Sequence, residues 1–271
     1  MDITVFRSDL GSDADCDQLE ALSKKQRAKH LDAIRDACQT YIGGKLRDEL
    51  STLAKETMET AGKDPANLSI VLDEDDAEGQ TLLIHYPSAV EKSDYVNPSV
   101  KIESGAKSAL DPNQAKIIIP YLAPDYLKEH ALEIPNVTTI DPERTMLDKI
   151  LILHGMTYYF EAKGALRGNG RMSRHYYDVH QLMNDVVGET ACKDTNLIQD
   201  CVRHARMFFF RNNTGLDLAQ QGSFRLSPTP GMLDPLQKDF TAMATMIFGD
   251  VPSFEAILES VARAEEMLNS V

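Results

Sequence analysis

The stretch Asp141-Pro142-Glu143-Arg144-Thr145-Met146-Leu147-Asp148-Lys149-Ile150-Leu151-Ile152-Leu153-His154 divides the chain into two halves of different character. Before it, short apolar runs separated by turn residues are typical of β-strands. After it, apolar residues recur at helical spacing and predict packed helices. Strands are expected at about 2–6, 68–72, 80–86, 100–103, 116–119 and 137–140, and helices at about 143–163, 174–186, 190–212, 233–248 and 253–269. The predicted fold class is α+β, with a mixed α/β domain at 1–141 and an all-α domain at 142–271.

Local signals refine this outline. Ser23 and Gln26 form a capping-box pattern, which predicts the start of a long helix in the first half. Gly43-Gly44 should interrupt that helix, and Gly62 should end it. Further along, the run Met207–Phe210 is interpreted as core, and Pro235 and Pro252 are expected at helix starts, where proline is tolerated.

Composition limits the possible functions. The chain has 271 residues, 42% hydrophobic and 26% charged, with a net charge of −14 and a pI of about 4.9. This acidity argues against a broad basic surface for nucleic acid, but a local basic pocket remains possible. The four cysteines form no C-x-x-C pair, so zinc and disulfides are not expected. Neither a secretion leader nor a membrane-length apolar run is visible, which predicts a cytoplasmic protein that does not enter a membrane.

Candidate metal ligands lie on two of the predicted strands. Side chains at positions i and i+2 share a face of a strand, so Lys101 and Glu103 should project together. Carboxylates are the ligands that Mg²⁺ prefers, and Glu103 would form a metal site if Asp2 lay beside it. Lys107, just after the strand, could reach phosphate or RNA. The alternative is a surface charge at Asp2 and a solvent-facing ion pair between Lys101 and Glu103.

A basic run in the second half is the stronger signal. Lys163, Arg167, Arg171 and Arg174 follow one another without an acidic residue, and three glycines lie among them. Arginine gives planar, bidentate contacts to phosphate. The alternative is a mobile loop with solvated charges. Asp178 follows Arg174 at i+4, a spacing typical of a helical ion pair.

Two further side chains accompany the basic run. Lys149, on the preceding helix, could bind phosphate or extend from an apolar surface into solvent. His175, beside Arg174, could be structural or contact a ligand. Both alternatives remain open for each residue at this point.

Several segments together resemble the AbiEii/AbiGii nucleotidyltransferase toxins of type IV toxin–antitoxin pairs. The order of the motifs carries the resemblance, which covers nearly the whole chain. The matching segments are Asp2-Ile3-Thr4-Val5, Lys101-Ile102-Glu103-Ser104-Gly105-Ala106-Lys107, Asp148-Lys149-Ile150-Leu151-Ile152-Leu153-His154-Gly155, Ser173-Arg174-His175-Tyr176-Tyr177-Asp178-Val179, and the tail from Leu236-Gln237-Lys238-Asp239-Phe240 to Pro252-Ser253-Phe254.

The resemblance implies a polymerase-β-like nucleotidyltransferase domain followed by a helical domain. It implies NTP as substrate, Mg²⁺ as cofactor, an RNA acceptor such as the tRNA 3′ end, and an AbiEi-type antitoxin as partner. It assigns Asp2 and Glu103 to the metal and Lys149 and Asp178 to catalysis. The nucleotide phosphates would be held by Lys101, Lys107, Arg171, Arg174 and His175.

The chain also departs from the family pattern. The family's first metal aspartate and its Gly-Ser/Gly-Thr segment are missing, which predicts a misplaced start or a truncated protein of low activity. Three hypotheses follow: an NTP-dependent RNA-modifying toxin, a non-catalytic remnant that binds RNA or nucleotide, and a small-molecule nucleotidyltransferase of the antibiotic-modifying kind.

Overall fold

The structure is a computed structural model that describes residues 2–12, 15–88, 98–120, 132–167 and 171–270. Contacts between Cα atoms divide the chain into two compact units, Met1–Ser108 and Ala109–Val271. This division comes earlier than the domain boundary we expected at 141/142, because the hairpin that precedes Pro142 belongs to the second unit.

The first unit is a four-stranded sheet with helices. Its strands are β1 (Asp2–Thr4), β2 (Ser69–Leu72), β3 (Thr81–His85) and β4 (Ser99–Gly105), and its helices are α1 (Cys16–Glu20), α2 (Lys24–Tyr41) and α3 (Arg47–Thr60). The strand order is β1-β4-β3-β2, with β1 parallel to β4 and the other neighbours antiparallel. The sheet is therefore mixed, and β2 and β3, at two of the predicted strand positions, form an antiparallel hairpin.

The predicted capping box starts α2. The Ser23 hydroxyl accepts from the Gln26 backbone N–H, and the Gln26 side chain accepts from the Ser23 backbone N–H. The Gly43-Gly44 pair does not break the helix as expected. It lies in a π-helical turn, Ile42–Leu46, that joins α2 directly to α3. A π-helical turn has i→i+5 hydrogen bonds and can lie within a longer helix without ending it.

One face of this sheet forms the core of the unit. Leu82 and Ile102 pack with Ile34, Cys38 and Ile42 of the helical layer, and all five side chains are buried. Because side chains alternate along a strand, the residues on either side of Ile102 project from the opposite face. Those residues are Lys101 and Glu103, both exposed.

Among the described residues, the second unit consists of a hairpin, six α-helices and a short 3-10 helix, Ala244–Met246. The hairpin pairs β5 (Asn113–Ile118) with β6 (Ile134–Ile140). The helices are α4 (Pro142–Lys163), α5 (Ser173–Met183), α6 (Val186–Lys193), α7 (Thr195–Phe208), α8 (Pro230–Met243) and α9 (Phe254–Asn269). The α+β fold class is thus confirmed. No described helix is both long enough and apolar enough to span a bilayer.

Two details of the helical half differ from expectation. The helix expected at 190–212 is two helices, because the Asp194 carboxylate accepts from the Leu197 N–H and caps a new helix, α7. Pro230, not Pro235, occupies the first turn of α8, and Pro235 lies inside that helix.

The aromatic run at the end of α7 is only partly core. Met207 and Phe208 are buried, whereas Phe209 and Phe210 are 45% and 54% exposed. The helix ends at Phe208, so the residues that follow no longer keep to its buried face. The expectation that the whole run is core was therefore wrong for Phe209 and Phe210.

Candidate active site

In the first unit, the strand register places Asp2 beside Glu103. The two residues are Cα partners on the parallel strands β1 and β4. Directly opposed residues on neighbouring strands share a face, so both carboxylates project from the side of the sheet away from the core. Both residues are exposed and so accessible to a ligand from solvent.

Lys101 lies on the same face and is held by two acids. Its Nζ is 3.2 Å from Asp73 Oδ2 and 3.5 Å from Glu103 Oε1. Burial lowers the pKa of Lys101, but the hydrogen bond to Asp73 and the negative charge of Glu103 outweigh that effect and raise it. Lys101 is therefore a firmly charged group next to the carboxylate pair. Asp73, in the acidic turn after β2, was not among the residues singled out from the sequence.

Lys107 also has an acidic partner. Its Nζ lies 2.8 Å from Glu78 Oε2, a residue of the turn between β2 and β3. A phosphate that bound Lys107 would have to compete with this carboxylate, whose side chain is 44% exposed. Exposed pairs of this kind are weak, so such an exchange costs little.

The carboxylate pair suits a hard cation. Among the described residues, no group of three or more His, Cys, Asp or Glu side chains is arranged to hold a metal. Mg²⁺, however, commonly uses one or two protein carboxylates and completes its shell with water and substrate phosphates. Asp2 and Glu103 fit that requirement in ligand type and number.

In the second unit, Lys149 of α4 meets Asp178 of α5. Lys149 Nζ is 2.8 Å from Asp178 Oδ2, and the two side chains are 25% and 36% exposed. Both helices are anchored by buried side chains. Ile150 and Leu153 are buried on one side of α4, and Tyr176 and Val179 are buried on one side of α5. The ion pair is therefore carried on two packed helices and is still open to solvent.

The partner of Asp178 differs from the one that its spacing suggested. Helical spacing pointed to Arg174, one turn earlier, but in the described part of the chain Asp178 bonds Lys149 across the helix interface. Arg174 is exposed. An Arg174–Asp178 ion pair is therefore not formed among the residues that the structure describes.

His175 is buried, with 7% of its surface exposed. Burial, together with the positive charges of Lys149 and Arg174, lowers its pKa to about 3. Its Nδ1 has no hydrogen-bond partner among the described residues. At neutral pH His175 is thus an uncharged imidazole, which can exchange a hydrogen bond with a ligand but adds no charge to a phosphate site.

This environment gives a measurable expectation. The folded protein should exclude a proton from His175 that the unfolded chain binds below about pH 6.5. NMR resonances of the ring should therefore not shift between pH 8 and pH 5, and this group should destabilise the fold as the pH falls through that range. The variant His175→Gln identifies the resonances. A titration midpoint near pH 6.5 would contradict the buried placement.

The N-terminus of α5 is fixed by a residue distant in sequence. Asp239, on α8, accepts hydrogen bonds from the backbone N–H groups of Arg171 and Ser173 and from the Ser173 hydroxyl, each at 2.7 Å. Arg171 has φ of +64°, a left-handed conformation that is unfavourable for a residue with a side chain. The residue spacing gave no sign of this contact, because 66 positions separate Ser173 from Asp239.

A further group of charged residues surrounds the buried Arg144 of α4. Arg144, 1% exposed, bonds Asp200 Oδ2 at 2.6 Å and the Asp111 carbonyl. Asp148, partly buried, has its pKa raised to about 6, because burial outweighs the attraction of Arg144 and Lys149. Ionisation of the Asp148 carboxyl at neutral pH therefore lowers the free energy of unfolding.

The raised pKa of Asp148 predicts that the stability of the fold depends on pH. An unfolded aspartate loses its proton near pH 4, but the folded one keeps it to about pH 6, so stability falls as the pH rises between these values. The loss should reach about 2–3 kcal/mol above pH 6. We expect Asp148→Asn to match the wild type at pH 4 and to be more stable at pH 7. Urea unfolding across this range tests it, and a difference that does not change with pH would contradict it.

His154 and His180 have structural roles. His154 is fully buried; its Nε2 donates to the Gly215 carbonyl at 2.9 Å, and its Nδ1 accepts from the Arg225 N–H at 3.2 Å. His180 Nδ1 lies 2.8 Å from the Ser260 hydroxyl. Both rings are satisfied by the fold, so neither is free to act on a substrate.

Comparison with known proteins identifies the class of enzyme. The model of the family described as the nucleotidyl transferase AbiEii toxin, of type IV toxin–antitoxin systems, matches residues 9–260. The protein is therefore a nucleotidyltransferase of the toxin type. The chain belongs to the AbiEii family, which confirms the resemblance drawn from its motifs. Glu103, Lys149 and Asp178 lie within the matched range, and Asp2 lies before it.

One solved structure is also similar. MenT4, a nucleotidyltransferase toxin from Mycobacterium tuberculosis H37Rv, is 11% identical, with 98% of this chain and 90% of that chain covered and a TM-score of 0.40. No curated protein matches the sequence.

Proposed function

We propose that this AbiEii-family enzyme transfers the nucleoside monophosphate of an NTP to an RNA, with the tRNA 3′ end as acceptor, in a Mg²⁺-dependent reaction. The observation that carries the proposal is the Lys149–Asp178 contact of 2.8 Å, which joins the two side chains assigned to catalysis through the family motifs. Both lie in the range that the family model matches.

The proposed roles follow from the chemistry of each side chain. Asp2 and Glu103 supply the carboxylates that would hold Mg²⁺, which neutralises phosphate charge when bound. Lys149, Arg171 and Arg174 bind the phosphates as cations. Lys101 and Lys107 would assist from the strand face, where each now contacts an acid. His175, being neutral, contributes a hydrogen bond rather than a charge.

The reaction breaks one bond and forms another at the α-phosphorus. The acceptor hydroxyl oxygen forms a bond to phosphorus, the bridging oxygen to the β-phosphate leaves with its electron pair as pyrophosphate, and the hydroxyl proton passes to a base. Asp178 holds the Lys149 ammonium in a fixed orientation. The ammonium is therefore already in place when negative charge develops on the phosphate oxygens in the transition state. Preorganisation of this kind costs no rearrangement at the moment of reaction.

The family places the enzyme in a toxin–antitoxin pair, and we propose an AbiEi-type antitoxin as its partner and the cytoplasm as its location. NTP and tRNA are both available there. Growth arrest and phage defence are the expected biological outcome of blocking tRNA in this way.

A small-molecule acceptor is the second candidate. The net charge of −14 favours it, because a tRNA-sized polyanion is normally bound by an extensive basic surface. The two candidates differ in salt dependence. Binding to tRNA should weaken steeply as salt rises, whereas a small neutral acceptor should show little change.

Incubation of this 271-residue chain with each α-labelled NTP and total tRNA tests the proposal. Label should appear on tRNA only with Mg²⁺, and periodate oxidation of the tRNA 3′ end should prevent it. The absence of label on any RNA would reject the RNA-acceptor proposal, and label on tRNA would reject both the small-molecule acceptor and the non-catalytic remnant.

A further inference from the structure

The hydrogen bonds around Asp239 join two helices that are far apart in the sequence. Asp239 lies on α8, and its carboxylate accepts three hydrogen bonds from residues 171 and 173 at the start of α5, each at 2.7 Å. Oδ1 takes the Arg171 N–H, and Oδ2 takes both the N–H and the hydroxyl of Ser173. Ser173 is fully buried, so its donors have no access to water in place of this carboxylate.

The segment held by Asp239 is the one that carries the site in this unit. Arg171 has a left-handed φ of +64°. The hydrogen bond from its backbone N–H to Asp239 stabilises this otherwise unfavourable conformation. Arg174 follows Ser173 directly, and Asp178 lies one turn later on the same helix. A helix start that rotated or frayed would move Arg174, in the first turn, and leave Asp178, one turn further along the packed helix, largely in place.

The helix N-terminus is also where a negative charge is most favourable. The first N–H groups of α5 have no partner within the helix, and the helix dipole adds partial positive charge there. The Asp239 carboxylate accepts from the Ser173 N–H and places its negative charge at this end of the helix, where residue 172 at the cap position offers no side-chain acceptor. Asp239 therefore replaces a local N-cap with one that comes from another helix.

We propose that Asp239 is a positioning residue for the nucleotide phosphates: it fixes the Arg171–Asp178 segment so that Arg171 and Arg174 are held ready for the triphosphate. The inference rests on the proposed transfer reaction. Asp239 does not touch the substrate and acts through the helix that it anchors. Its loss should therefore weaken NTP binding more than it slows the chemical step, which depends on Lys149 and Asp178 on the packed parts of their helices.

The test compares Asp239→Ala with Asp194→Ala. Asp194 caps α7 in the same unit, and its Oδ1 accepts from the Leu197 N–H at 3.0 Å, so both variants remove an aspartate cap. For Asp239→Ala we expect the KM for NTP to rise about tenfold or more, with kcat within about threefold of wild type, whereas Asp194→Ala should leave KM unchanged. Thermal unfolding of both variants measures the general loss of stability.

A milder substitution covers the case in which Asp239→Ala does not fold. Asp239→Asn keeps the size and shape of the side chain, but its NH₂ group faces at least one of the three hydrogen-bond donors at residues 171 and 173. We expect a smaller rise in the KM for NTP than in Asp239→Ala. An active wild type with an unchanged KM in Asp239→Asn, or an equal rise in Asp194→Ala, would overturn the inference alone. A wild type that transfers no nucleotide would overturn the proposed function and this inference with it.

Discussion

Asp178→Asn is expected to lower kcat for nucleotide transfer by at least about 100-fold, the usual cost of removing a preorganised charged group from an active site. The substitution keeps the size of the side chain and removes its charge. Lys149 then loses the partner that lies 2.8 Å away and directs its ammonium. Initial rates with labelled NTP and tRNA measure the effect.

The same change should hardly affect folding. Ion pairs at this degree of exposure contribute about 1 kcal/mol or less, so the free energy of unfolding should fall only slightly. Glu161→Gln is the matched control, because Glu161 lies on α4, the helix that carries Lys149, and pairs with Arg225 at comparable exposure. That variant should keep the wild-type rate. If it loses as much activity as Asp178→Asn, the loss reflects disturbed helix packing and not the site.

Lys149→Met completes a double-mutant cycle with Asp178→Asn. If the two side chains act as a unit, the double variant should be about as slow as the slower single variant, because each single change already disables the pair. Independent roles would instead give losses that multiply. Such multiplication would contradict the view that Asp178 acts by orienting Lys149.

The sequence predicted the fold class and its main elements because the periodic signals are local. The alternation around Ile102 and the capping box at Ser23 were sufficient to place a strand and a helix start, and both are confirmed. The π-helical turn at Gly43-Gly44 was not foreseen, since two glycines favour a break as readily as a widened turn. Asp194 could have been read as an N-cap, but the apolar spacing on both sides of it suggested one continuous helix.

The sequence named candidate site residues, but it did not predict the contacts that those residues make in the fold. Motif order indicated Lys149 and Asp178, but helical spacing named Arg174 as the partner of Asp178, and a contact between helices decided otherwise. Asp73 and Asp239 escaped notice for the same reason. Their partners are 28 and 66 or more positions away, and no periodicity connects residues across such separations. The protonation state of His175 could not be predicted from the sequence either. Its pKa is lowered by burial in the folded protein, which residue spacing does not reveal.

Glu103→Gln should have the second large effect, and it tests the proposed metal site in the first unit. Glu103 lies in register with Asp2, and removing its charge would leave one carboxylate where two can bind Mg²⁺. A loss of about 3 kcal/mol in transition-state stabilisation corresponds to a rate at least about 100-fold lower. Raising the Mg²⁺ concentration should restore part of the activity, because weaker ligation is offset by mass action.

Asp73→Asn separates metal binding from support of Lys101. Lys101 contacts both acids, with Nζ 3.2 Å from Asp73 and 3.5 Å from Glu103, so either substitution weakens the hold on that lysine. Only Glu103→Gln removes a proposed Mg²⁺ ligand. We therefore expect the Mg²⁺ concentration for half-maximal activity to rise in Glu103→Gln and to stay near the wild-type value in Asp73→Asn. Equal behaviour of the two variants would mean that Glu103 serves the ion pair on the strand face, and the metal assignment would then be wrong.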